Sequence, residues 1–174
     1  DYTLENNKRN KLPVVEKAHF PPKVEQLVAG VHSTYPLGDL DYVLIQFGHN
    51  DSGAINDTIR ARGTIKGTGK EAEEIDNILT GQHETVHSYG WYIRQYIREA
   101  RAKGAIPVVM SPIPRNDWKN GKVPRNNQSY GKWAKDVALE EGAFFIDLNE
   151  KMASTMENLG EDNVTDKLFF RRDH

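Results

Sequence analysis

The chain has 174 residues and a formal net charge of −2, with a pI near 6.3 and a mean hydropathy of −0.69. That length suits one domain. No apolar run approaches membrane-spanning length, and the charge balance argues against a nucleic-acid partner held by a strong basic field. Cysteine is absent, which excludes disulfides, thiolate–metal sites and a cysteine nucleophile while leaving the compartment open. The sequence opens at Asp1 in a polar stretch and stops at Arg171-Arg172-Asp173-His174. Both ends read as cut, which suggests that residues 1–174 are a single, truncated domain.

Residues Asp1 to Lys11 are polar, without a period, and read as a loop. Pro21 and Pro22 open a short predicted helix through Val24, Leu27 and Val28, stopped near Gly30. After a turn with Pro36 and Gly38 comes Tyr42-Val43-Leu44-Ile45-Gln46-Phe47, an apolar run rich in β-formers. It predicts a strand buried on both faces, as in a parallel sheet. Residues 52–83 read as a long loop or insertion, with Gly53, Gly63, Gly67 and Gly69 among many charges. A helix is predicted from about Glu84 to Lys103, with Val86, Trp91, Ile93, Tyr96, Ile97 and Ala100 along one stripe and Gly104 at its stop. Ile106 to Ser111 is a second strand whose Pro107 suits only its start. Asn127 to Glu141 predicts a helix, Ala143 to Ile146 a third strand, and Met152, Met156 and Leu159 a last helix. Alternating strands and helices imply an α/β fold with a parallel sheet and right-handed crossovers.

Two short motifs compete for attention. His83-Glu84-Thr85-Val86-His87 matches H-E-x-x-H, in which two helical histidines hold zinc and the glutamate serves as base. A catalytic zinc needs a third protein ligand, and Ile93 stands where the extended motif would place it. Glu99 could substitute only if the helix turned back. The plainer reading makes both histidines polar positions of a surface helix. Gly67-Thr68-Gly69-Lys70-Glu71-Ala72 resembles a dinucleotide fingerprint but follows no buried strand, so its glycines read as loop hinges.

Gly48-His49-Asn50-Asp51 is better placed, at the carboxyl end of a predicted strand, where open α/β sheets build their sites. Gly48 lets the backbone approach a ligand closely. Asn50 offers an amide donor that can stabilise a developing oxyanion, and Asp51 can brace the loop. An ordinary turn of turn-favouring residues is the competing reading.

Tyr42 to Asp51 closely resembles the third conserved block of SGNH (GDSL-type) hydrolases, in a variant similar to that of the rhamnogalacturonan acetylesterases. Gly63 to Gly69, His83-Glu84, Gly90-Trp91-Tyr92, Pro114-Arg115 with Trp118, and Phe145 to Asn149 resemble bacterial members of that group. Phe169 to His174 resembles the start of the family's D-H-T-H block. The resemblance implies a three-layer α/β/α fold of flavodoxin-like, SGNH type, here incomplete. It also implies hydrolysis of acetyl esters on an acetylated pectic polysaccharide by a Ser-His-Asp triad, without metal or other cofactor. Carried over residue by residue, Asn50 is the oxyanion donor and Asp173 the acid that orients the histidine, with Gly48, His49 and Asp51 around the substrate. Secretion or a periplasmic location would follow from such a substrate.

The departures bear on activity. The sequence has no Gly-Asp-Ser; Ser33, in His32-Ser33-Thr34, is in the wrong place for the nucleophile. The second block's glycine is missing, and His174 corresponds to the intervening histidine rather than to the base. The expectation is a chain inactive by itself, with sheet edges or faces exposed and prone to aggregate. Two other functions compete: a zinc metallopeptidase through His83, Glu84 and His87, and a non-catalytic carbohydrate-binding domain. Trp91, Trp118, Trp133 and Tyr130 would offer stacking faces for the latter, with Trp118 the best exposed of them.

Overall fold

The computed structural model describes residues 42–59, 61 and 63–169. The helix expected after Pro21-Pro22, and Ser33, Asp173 and His174, lie outside them. The elements are β1 (Tyr42–Ile45), β2 (Ala72–Asp76), β3 (His83–His87), α1 (Tyr89–Ala102), β4 (Ile106–Met110), α2 (Tyr130–Glu140), β5 (Phe144–Ile146), α3 (Leu148–Leu159) and α4 (Glu161–Lys167).

β1, β4 and β5 form a parallel sheet in the order β1-β4-β5. Its register pairs Ile45 with Val109 and Val109 with Phe145. Because side chains alternate across a strand, those three share a face, and it is the packed one. Ile45 and Val109 join Tyr89, Ile93, Ile97, Ala134 and Val137 of α1 and α2 in one core cluster, with Val43 and Phe145 against its edge. The stripe Tyr89, Tyr92, Ile93, Tyr96, Ile97 and Ala100 is the buried face of α1, as helical periodicity requires. A second cluster joins Val123 to Ala153, Met156 and Val164 on α3 and α4, with Trp118 against it.

The other face of the sheet differs from the expectation of a doubly buried strand. Tyr42 and Leu44 are each 63% exposed and Phe144 is 62% exposed, whereas Val108 between them is 7% exposed. Only the face toward α1 and α2 is packed along β1 among the described residues.

The helix predicted from Glu84 is also corrected. His83–His87 is a strand, paired antiparallel with Ala72–Asp76, and α1 begins at Tyr89. Ser88 makes the break. Its hydroxyl oxygen accepts from Trp91 N at 3.1 Å, an N-cap, while its O–H donates to Gly69 O at 2.6 Å. The pairing partner is a charged segment that no local period marks as a strand. Cross-strand side chains hold it instead: Thr85 Oγ1 donates to Glu74, and the His83 ring lies 2.8 Å from Asp76 and 3.2 Å from Glu74. The 52–83 segment thus contains β2 and the start of a hairpin. Smaller differences are the later start of α2, after a turn in which Asn126 O accepts from Ser129 N and Gly131 N, and the short helix α4. Pro107 is the second residue of the central strand.

Candidate active site

The tips of β1 and β4 meet in a cavity of about 290 Å³, walled by Gly48, His49, Pro112, Arg115, Asn126 and Tyr130 among others. Gly48 is required where it stands. Its φ is +107°, and a Cβ there would lie 2.9 Å from Tyr89 Cε2 and 3.2 Å from Tyr130 Cδ1. Only a residue without a side chain fits both the backbone and the space.

Beyond Gly48 the loop is tied down by its own backbone. Gly53 N donates to Asn50 O at 3.2 Å and Thr64 N to Asp51 O at 3.2 Å. Asn50, between the cavity-lining residues His49 and Ser52, is half-buried, and its side-chain amide forms no hydrogen bond with the described residues. Asn50 itself is not part of the cavity wall. Asp51 points the other way, into the protein. It is 8% exposed and accepts from Thr64 Oγ1 at 3.2 Å. Burial raises its pKa to about 6, partly offset by the Thr64 bond. Burial likewise raises the Tyr130 phenol to about 12, with the charge of Asp51 adding to it. His49 is held below the usual imidazole range, first by desolvation and then by the charge of Arg115.

The opposite wall is the exit loop of β4. Ser111 Oγ donates to Asp147 Oδ1 at 2.9 Å and accepts from Asn149 N at 2.8 Å. The Pro112 carbonyl accepts from the side-chain amides of both Asn126 and Asn149, each at 2.8 Å. Asp147 also caps α3 by accepting from Glu150 N. These bonds make a rigid rim from the ends of two neighbouring strands.

Gly48 and His49 are therefore on the cavity wall, Asn50 is beside it, Asp51 is behind it, and Asp173 lies outside the described residues. The sequence reading missed Asn126 and Arg125 as wall residues, since they come from the segment ahead of α2 and reach the cavity only through the fold; Tyr130, offered there as a stacking face, is the first residue of α2 and does stand on the wall. Asn149 was within reach, two positions after Asp147, which follows the end of β5 and caps α3. Trp118 is partly buried, its indole N–H donating to Asn116 Oδ1 at 2.7 Å. Trp91 and Trp133 pack against the main core, and Tyr130 is 8% exposed.

The zinc reading of His83-Glu84-x-x-His87 fails on geometry. On a strand, residues four apart are separated by about 13 Å, so the two rings do not converge as they would on a helix. His87 stacks on Trp91 with ring centroids 3.9 Å apart, while His83 sits between Glu74 and Asp76. Among the described residues, no group of three or more His, Asp and Glu side chains is arranged to hold a metal ion.

Residues 14–168 match the GDSL-like Lipase/Acylhydrolase family. The chain belongs to that family. Its curated relatives include the rhamnogalacturonan acetylesterase of Emericella nidulans, 32% identical over 77% of this chain and 53% of that protein. The "Probable rhamnogalacturonan acetylesterase YesY" of Bacillus subtilis is 29% identical over 71% of this chain and 47% of that protein. The chain thus spans about half the length of the curated relatives it matches. In fold it is similar to the crystal structure of the Bacillus subtilis protein YxiM, with a TM-score of 0.54 and 19% identity over 84% of this chain and 33% of that one. The parallel sheet with its helices is that of the family's three-layer α/β/α fold.

Proposed function

We propose that this chain carries part of the active site of a carbohydrate acetylesterase acting on acetylated rhamnogalacturonan, a pectic polysaccharide found outside the cell, and that the enzyme is exported to reach it. The observation that carries the reading is the amide of Asn50, at a strand tip beside the cavity and without a hydrogen-bond partner among the described residues. Attack on an acetyl carbonyl places negative charge on its oxygen, and a pre-placed N–H donor stabilises that charge without reorganising. The two acetylesterase relatives support the substrate class. Asp173 would orient the histidine that takes the nucleophile's proton.

No Gly-Asp-Ser occurs in the sequence, so turnover of p-nitrophenyl acetate by this polypeptide is expected to stay at the background rate, with Ser33→Ala no different. Turnover well above background that Ser33→Ala abolishes would make Ser33 the nucleophile and overturn the reading of the missing block. In any longer form of the protein that does hydrolyse the ester, Asn50→Ala is expected to lower kcat about 10²- to 10³-fold. An unchanged kcat would remove Asn50 from the oxyanion site.

A further inference from the structure

Among the described residues, Arg115 and Arg125 line the cavity, and they are used in opposite ways. Arg125 is spent on structure. It bonds both oxygens of Glu150, at 3.1 and 3.0 Å, and pairs with Glu157 and the Val123 carbonyl. Those carboxylates neutralise it and fasten the segment before α2 to α3. Among the described residues Arg115 has no such partner. Its one hydrogen bond is from Nη2 to the His49 carbonyl, at 2.6 Å, and it pairs with no carboxylate among the described residues. Asp117 lies on the same wall without pairing with it.

The single bond aims the group. Arg115 follows Pro112 and Pro114, and the Pro112 carbonyl is held by two amides, so the loop that carries Arg115 is anchored where it leaves β4 and two prolines restrict its backbone. The His49 carbonyl then holds one end of the guanidinium next to the residue that precedes Asn50. The remaining N–H donors of the planar fork have no acceptor among the described residues. A guanidinium in that state suits a carboxylate, which can take two parallel hydrogen bonds from it.

We propose that Arg115 is a specificity residue that binds the carboxylate of a uronate unit of the polymer, placing an acetyl group carried by the bound polymer at the Asn50 amide. This rests on the polysaccharide reading above and deepens it. A rhamnogalacturonan offers one carboxylate on each uronate, and among the described residues of the wall Arg115 is the arginine not already neutralised. Asp117 opposes the carboxylate and limits the affinity, so recognition needs the sugar contacts as well as the charge.

The test is binding rather than turnover, so it does not depend on the nucleophile. An unacetylated oligosaccharide of alternating galacturonate and rhamnose is titrated into the 174-residue chain by calorimetry, alongside the same oligosaccharide with its carboxyl groups reduced to alcohols. The acid form is expected to bind about five- to tenfold more tightly. Arg115→Gln is expected to bind both forms as weakly as the parent binds the reduced one, and Arg115→Lys to keep part of the preference through its charge. Equal binding of the two forms by the parent, or a full preference in Arg115→Gln, overturns the role of Arg115 and leaves the polysaccharide reading standing. Binding of neither form overturns both. Should Arg115→Gln not fold, the comparison on the parent and on Arg115→Lys decides.

Discussion

The two faces of the parallel sheet are made from the same kinds of residue and live in different surroundings. Toward α1 and α2, Ile45 and Val109 are 2% and 0% exposed, sealed by Ile93, Ile97 and Val137. On the other face Tyr42, Leu44 and Phe144 stand largely open. Residue type alone does not distinguish Leu44 from Ile45; the neighbours that cover them do. Apolar burial stabilises only where a second layer removes water. The cavity follows the same logic, because its walls are loops leaving the tips of strands whose packed face is rigid.

The sharpest test of that contrast is on the packed face. Ile97→Ala removes a side chain that is 0% exposed and is expected to cost about 2–5 kcal/mol of stability in chemical denaturation. A loss under 1 kcal/mol would mean that this face is not the core.

Asp51 tests the region between core and cavity. Its pKa is raised by burial to about 6 in the folded chain, against 3.8 for a freely solvated aspartate. The folded state therefore holds the proton more tightly, and this group's contribution to stability grows as pH falls from above 6 to below 4. The difference approaches roughly 3 kcal/mol. Asp51→Asn cannot titrate, so it should be the more stable at pH 8 relative to the parent, and the advantage should disappear near pH 4. Parallel stability–pH curves for the two proteins would show that Asp51 is not buried as described.

Gly48→Ala should destabilise by about 1–3 kcal/mol, since it combines a positive φ with a contact to Tyr89. It should also weaken oligosaccharide binding by displacing His49. Thermal unfolding and the calorimetric titration check the two effects separately.

The smallest expected effect is on the open face. Leu44→Ser should change stability by no more than about 0.5 kcal/mol and should lower binding of a hydrophobic dye, because exposed apolar patches attract such probes. A cost like that of Ile97→Ala would show that this face is covered in solution and would erase the contrast.

Much of the fold was legible because it is local. The β-rich runs at Tyr42, Ile106 and Phe144 became the sheet, and the stripe from Tyr89 to Ala100 became α1. The hairpin was not legible. His83–His87 finds its partner in Ala72–Asp76, whose Glu73, Glu74 and Asp76 carry no apolar alternation. The i, i+4 histidines imitate a helical motif that Ser88 cuts off. The site divided in the same way. Gly48 and Asn50 announce themselves as a glycine and an amide at a strand end. That Asp51 turns inward to Thr64, thirteen residues away, is a pairing no local pattern encodes.

By itself, then, the sequence determined the three strands of the parallel sheet and the helices that alternate with them, the family-like block around Asn50 and the absence of Gly-Asp-Ser. The tertiary structure alone decided which face of β1 is covered, that the H-E-x-x-H residues lie on a strand, and that among the described residues Arg125 is neutralised while Arg115 is not. The physical reason is range. Periodicity and turn chemistry act over a few residues, whereas burial and charge pairing depend on groups that meet only when distant segments pack together.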